Sequence, residues 1–442
     1  MTPSLFDTVR RHAAERRSRL SSAVKSRLLR WIVGRSVVVP SKAETHDPED
    51  LEQRTDALNQ AAEVYFVEAE DPEYLIRKPF SAPSELAKYL FNLGVLVHTG
   101  RFAPGHRVLE LGAGAGWVSH FLNLFGCPTV ALDVSGTALE LAEETFQRHP
   151  HTRWDLEPRF LTYDGHAIPL PDASIDRVVV HDAFHHIPNQ REILRELARV
   201  LTPRGIVAMN EPGRHHSTSD ASRHEMDSYG VLENDIVVED LAKLARQEGF
   251  TRTTVVPINL YGATEVPAEE LIEFVRGKKL AEWWCLMAPH LLNEHYIFLH
   301  KRPFVPDTRA PATLRADIAA EVPEGENELT ARVGEPVTFR CRVQNTGDTI
   351  WLPTSAGRPG CTQLAVYLAP HPDDPDATVE RDWHRVEIEQ EVEPGETVSL
   401  DVELPPFEDA GERGLVLDMV AEGVTWFADV GSTPARVRLL VS

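Results

Sequence analysis

Cysteine is scarce in this 442-residue chain: Cys127, Cys285, Cys341 and Cys361 stand apart, with no C-x-x-C pair among them. That spacing excludes a dense disulfide framework and offers no zinc-ribbon ligand set, so reduced thiols in a cytoplasmic setting are expected. Long apolar runs are also missing, and no window reaches the roughly 18 apolar residues that a membrane-spanning helix needs. Cations are in the minority, with 45 Lys and Arg against 68 Asp and Glu and a net charge of -23. This balance disfavours a nucleic-acid partner, because phosphate binding requires clustered Lys and Arg.

What is present is ordinary globular composition, 42% hydrophobic and 26% charged, over a length that needs more than one core. Charge is unevenly spread. Residues 1 to 42 carry +8 and the remainder -31. Within 1–45, Phe6, Val9, Ala13, Leu20, Val24, Leu28 and Trp31 recur at helical spacing between arginines. This basic amphipathic helix suits peripheral contact of residues 1–40 with the anionic inner face of a membrane, or docking on the acidic body or a second copy in a homo-oligomer.

Residues 46–302, with a core over 80–302, alternate strand-like runs (RVLELG, TVALDV, RFLTY, DRVVVHD, GIVAMNE) with helical periods such as REILRELARVL. That alternation predicts an α/β domain with a mostly parallel sheet. The proline-rich stretch 303–312 predicts a linker. Over 313–442, about seven short strands separated by NTGD, EPGE and GER predict a separate all-β sandwich of immunoglobulin-like size. Trp351, Trp383 and Trp426 in it could stack on sugars, although tryptophan in a small sandwich is more often core.

The first α/β unit carries the chemistry. VLELG delivers Glu110 and turns through Gly112, Ala113, Gly114, Ala115 and Gly116, where glycines let a ligand approach the backbone. A dinucleotide fold uses a similar turn, but G-x-G-x-x-G would put a third glycine where Trp117 stands. Glu110 would repel a pyrophosphate and attract the ammonium of S-adenosyl-L-methionine (SAM). The next strand ends in Asp133 and Val134, with Asp133 placed to accept both hydroxyls of a ribose. A third ends near Asp164, Gly165 and His166, where a carboxylate suits an adenine amino group. Any one of these acids could be a solvated loop residue; their order along the chain is what argues for a nucleoside site.

With DAFHHIPN at 182–189 added, residues 80–302 resemble the class I SAM-dependent methyltransferases, in the branch with a LHH-like motif after the fourth strand. NQAAEVYF and HEMDSYGVLENDI are also similar to methyltransferases encoded among bacterial surface-glycan genes. The resemblance implies a Rossmann-like seven-stranded sheet with a reversed last strand. It also implies SAM across the carboxyl ends of the first strands, with Asp182 among its neighbours and residues of 58–80, Tyr65 and Tyr74 included, closing the pocket.

Methyl transfer to a hydroxyl needs a base. The resemblance matches His185 to a base and Glu211 to its orienting carboxylate, a pair that would fix the tautomer. His186 is the neighbouring candidate, better suited to packing, and either histidine could instead cap the following helix. The polar stretch 213–230 adds His215, His216, His224, Glu225 and Tyr229 as a lid loop. Its spacing supports no metal. Three functions are compatible: O-methylation of a sugar on a glycan or glycolipid, methylation of a small natural product or lipid head group, and non-catalytic SAM binding or assembly.

Overall fold

The computed structural model describes residues 48–260, 263, 265–277, 280–322, 328–369, 381 and 383–442, so the amphipathic segment 1–45 lies outside the described residues. Strands β1 (Val108–Leu111), β2 (Thr129–Asp133), β3 (Arg159–Thr162), β4 (Ile175–His181), β5 (Leu201–Pro212), β6 (Arg252–Val256) and β7 (Glu294–His300) form one sheet. Their order is β3-β2-β1-β4-β5-β7-β6. All neighbours are parallel except β7, which runs antiparallel to β5 and β6. The reversed strand that the resemblance implies is therefore in place.

The central strands read as unbroken apolar runs because helices cover both faces. In β4, Val178 and Val180 pack into one helical layer and Val179 into the other. The helices that position the site are α1 (Thr55–Val67), α2 (Leu86–Thr99), α3 (Trp117–Leu124), α4 (Gly136–Arg148), α5 (Gln190–Val200), α6 (Asp220–Tyr229) and α7 (Val238–Gln247). Helix α4 starts where Ser135 Oγ accepts from the Ala138 N–H at 3.0 Å. Helix α5 buries Ile193, Leu194 and Leu197 completely, each stabilising by about 1.5–3 kcal/mol. Strand order reverses between β1 and β4, and the carboxyl ends there open the crevice where α/β sheets bind ligands.

Beyond the linker lie β8 (Ala316–Glu321), β9 (Leu329–Ala331), β10 (Val337–Asn345), β11 (Thr362–Ala369), β12 (His384–Glu387), β13 (Thr397–Leu404), β14 (Gly411–Ala421), β15 (Thr425–Trp426) and β16 (Ala435–Val441). β13-β10-β8 form one sheet and the other six form a second. Val343, Leu364, Leu417 and Leu439 from the two sheets share one core with Trp351. Trp351 is wholly buried, as the core reading expects, while the half-buried Trp426 lies under the Arg381 and Arg385 guanidiniums. The four cysteines are unpaired.

The stretch 303–312 is packed rather than a loose spacer. Asp307 bridges Ile350, Thr308 N–H donates to the Ile350 carbonyl at 3.1 Å, and Arg309 reaches Asp176 of the α/β unit at 3.0 Å. Proline suppresses secondary structure there, but charged side chains find partners on both sides.

Candidate active site

The loop after β1 holds Gly112, Gly114 and Gly116 at φ of 70°, 51° and 73°, a left-handed run that only glycine adopts freely. Space is as restrictive as torsion. A Cβ on Gly112 would stand 2.5 Å from the Ala183 methyl, and one on Gly116 would stand 2.8 Å from that of Ala142. The loop is thus pinched between the end of β4 and helix α4, with Ala113 buried between them. Trp117, where a dinucleotide loop would have its third glycine, is buried against His181, Tyr89 and Phe121.

Glu110 lies deeper than its place before the loop suggests. It is 2% exposed, its Oε2 accepts from the Ser119 N–H at 2.8 Å, and burial pushes its carboxyl up to about 8. Placed between strand and helix, it holds the first turn of α3 through one carboxylate oxygen. Asp133 does sit at the loop. Its Oδ2 accepts from Gly114 N–H and its Oδ1 from Ser135 N–H, both at 2.9 Å. Burial raises its pKa, and these backbone bonds partly offset that. Each oxygen keeps a lone pair, so two ribose hydroxyls can still be accepted. Val134 beside it is partly exposed.

Asp164 is exposed, held below its ordinary value by N–H bonds from Ala167 (2.9 Å) and His166 (2.8 Å). His166 turns away from the loop: its Nδ1 lies 2.9 Å from Glu192, whose carboxylate raises its pKa, and its Nε2 lies 3.4 Å from Asp56. Gly165 stands at φ 83°, and a Cβ there would meet the Asn59 amide at 2.0 Å, so torsion and space both require glycine. Asn59 donates to the Asp164 carbonyl at 3.1 Å, and Phe66 lies over Gly114. Glu63 clasps the start of α4, accepting from Thr137 Oγ1 at 2.6 Å. Asn59, Glu63 and Phe66 are spaced i, i+4, i+7, so α1 turns one face onto the loop. Tyr65, edge-on to Tyr229 at 5.1 Å, ties that helix to α6, and Tyr74 is exposed beside Lys78. The sequence pointed to this segment but not to Asn59, Glu63 or Phe66; their helical spacing was the available signal.

The second half of the site lies beside it. After β4, Asp182 is exposed in the left-handed region at φ 55°, and the turn Phe184–His186 brings His185 under Glu211 at the end of β5. Glu211 accepts from the backbone N–H groups of Ala183 (3.2 Å), Phe184 (2.9 Å) and His185 (3.2 Å), and lies 2.9 Å from His185 Nδ1. Four donors fix that carboxylate. His185 is buried, which lowers its pKa, but the Glu211 bond and nearby carboxylates outweigh this and raise it to about 9. Its Nε2 faces Glu233 Oε2 at 3.6 Å.

Glu233 is buried and was not singled out from the sequence, since nothing local ties it to the histidines. It lies 2.6 Å from His216 Nε2 and 3.3 Å from His186 Nδ1. His186 Nδ1 is also 2.6 Å from the Leu232 carbonyl, in keeping with a packing role for this ring. Burial and Glu233 raise the pKa of Glu225. The stretch 213–230 is more ordered than a lid loop: it contains α6, with Ser219 accepting from the Ser222 N–H. His215 there serves the turn, its N–H on Asp235, and His224 approaches only Ser228.

Residues 109–209 match the family model described as "Methyltransferase domain". An uncharacterized 37.1 kDa protein in transposon TN4556 of Streptomyces fradiae is 28% identical over 190 residues, 40% of this chain and 53% of that one. The uncharacterized methyltransferase YcgJ of Bacillus subtilis is 30% identical over 114 residues, 26% of this chain and 44% of that one. The 27-O-demethylrifamycin SV methyltransferase of Amycolatopsis mediterranei is 31% identical over 111 residues, 24% of this chain and 39% of that one. The chain thus spans about half the length, or less, of these relatives. With a glycine loop, a strand-end Asp133 and a reversed seventh strand, the α/β unit is a class I methyltransferase domain of the SAM-dependent kind.

Proposed function

We propose that the protein methylates a hydroxyl of a sugar on a glycan or glycolipid, with His185 as base. The observation that carries this reading is the His185–Glu211 pair at 2.9 Å, set one turn from the glycine loop by the Gly112–Ala183 contact. Gly112–Gly116, Asp133 and Asp164 would hold SAM, which would supply an electrophilic methyl group and leave as S-adenosylhomocysteine when the S–CH3 bond breaks. Glu211 holds the proton on His185 Nδ1. The neutral ring, populated as pH approaches the raised value of about 9, then receives the proton of the acceptor hydroxyl on Nε2, and the carboxylate steadies the imidazolium. Turnover should therefore rise with pH towards 9. Helix α1 excludes water above the loop. The similarity to the rifamycin enzyme is in keeping with a hydroxyl acceptor. The glycan-gene kinship, an immunoglobulin-like nature for the C-terminal unit and membrane contact through residues 1–40 belong to the same proposal. Among the described residues no helix is long and apolar enough to cross a membrane.

A second reading, a cationic lipid head group or small natural product, is favoured by Glu225 and Glu233 gathering near Tyr65, with Asp182 near Glu225. Labelled methyl transfer into glycan, lipid and metabolite fractions separates the two. For the chemistry, His185→Ala should keep SAM binding by calorimetry and lose about 100-fold or more of turnover; normal turnover refutes the base. Asp133→Ala should lose SAM binding, and wild type that binds no SAM sinks the whole reading.

A further inference from the structure

We propose that His185, His186 and Glu233 form a binding site for one zinc-class divalent cation, and that its occupancy blocks the base. Each side chain offers a ligand atom, all within 4.8 Å of one another, and among the described residues this is the group so arranged. Two imidazoles and a carboxylate are a familiar donor set for zinc, while magnesium prefers oxygen.

The surroundings are those of ligands held for a metal. A liganding histidine typically donates its other ring N–H to a carboxylate or carbonyl, which fixes the tautomer. Here His185 Nδ1 lies 2.9 Å from Glu211 and His186 Nδ1 lies 2.6 Å from the Leu232 carbonyl. The Leu232 carbonyl only accepts, so His186 Nδ1, which also lies 3.3 Å from Glu233 Oε1, carries the proton, and Nε2 is the nitrogen left to ligate. Glu211 imposes the same order on His185, whose Nε2 faces Glu233 at 3.6 Å. Glu233 in turn has its own outer partner in His216 Nε2 at 2.6 Å. The Glu211 and Glu233 carboxylates flank the two nitrogens of His185, at 2.9 and 3.6 Å. The His186 side chain is 40% exposed, which gives an ion a way in.

The inhibitory half of this inference rests on His185 as the base, because a cation on Nε2 occupies the lone pair that takes the acceptor proton. Binding itself does not depend on that reading, and calorimetry reads it independently of turnover. Full-length chain stripped with chelator and titrated with Zn2+ should bind one ion per chain and gain thermal stability, with no comparable response to Mg2+. Glu233→Gln and His186→Ala should each weaken binding at least about tenfold, while His224→Ala, outside the cluster, should not. Absence of stoichiometric binding by wild type, or wild-type affinity in both cluster variants, overturns the site. If turnover is present, one equivalent of Zn2+ should suppress it and chelator restore it; undiminished turnover of the zinc-bound form overturns the block.

Discussion

Gly112 admits no side chain. Its φ of 70° and the 2.5 Å approach of Ala183 act together, so Gly112→Ala should destabilise by about 1–3 kcal/mol and weaken SAM binding at least tenfold. Unfolding midpoints and calorimetry read the two effects separately, and an unperturbed variant would show that the loop relaxes. The glycines and Asp133 were legible in the sequence because local spacing and strand ends specify them. Glu110, expected to face the ammonium of SAM, is buried with one carboxylate oxygen on the Ser119 N–H. Which way a strand-end side chain turns depends on the layer packed behind it.

At the scale of elements, α1 is the cover of the cofactor loop. Few buried apolar residues hold it, Thr55 and Leu58 alone being buried, so its polar clasps matter more than usual. Removing them with Glu63→Ala and Asn59→Ala should raise the dissociation constant for SAM several-fold and speed amide exchange in 55–67, with the domain's unfolding midpoint little changed. Unaltered exchange would mean that packing, not the clasps, seats the helix. Helices and strands with a clear period were readable beforehand. Helix α6 was not, because Asp220–Tyr229 is polar almost all round and only its Ser219 cap marks a start.

For the whole molecule the decisive feature is the seam between the two units. Arg309 lies 2.7 Å from Asp307 and 3.0 Å from Asp176, all three largely buried, and Arg204 pairs with Glu391 and, at 2.9 Å, with Glu393. Arg309→Ala leaves the buried Asp307 without its guanidinium and Asp176 with Arg107 alone, and should cost up to about 3–5 kcal/mol. A midpoint shift near zero in denaturant would refute that. The same seam should be acid-labile. Burial, with Arg177 and Arg309 nearby, lowers the pKa of His106 to about 4, while its Nδ1 accepts from Ala103 N–H and its Nε2 faces Asp307 at 3.8 Å. A histidine kept neutral in the fold contributes stability above its unfolded value near 6.5, and that stability is lost as pH falls towards 4, by about 1.4 kcal/mol per unit. Asp176 and Asp307, both held low, add loss of the same sign at still lower pH. His106→Gln should flatten the pH 6.5 to 4 limb of the stability profile; an unchanged slope would assign it elsewhere.

The sequence by itself determined the α/β unit, the glycine loop and the strand-end place of Asp133, because each follows from short-range spacing or from where strands end. The pairing of His185 with Glu211 was implied by the resemblance, and the fold brings the two within 2.9 Å. Only the tertiary structure decided that Glu110 faces inward, that 303–312 is a packed seam, and that Glu233 arrives beside His185 and His186. Those outcomes depend on contacts between segments remote along the chain. Burial and charge pairing select such contacts, and no local pattern records them.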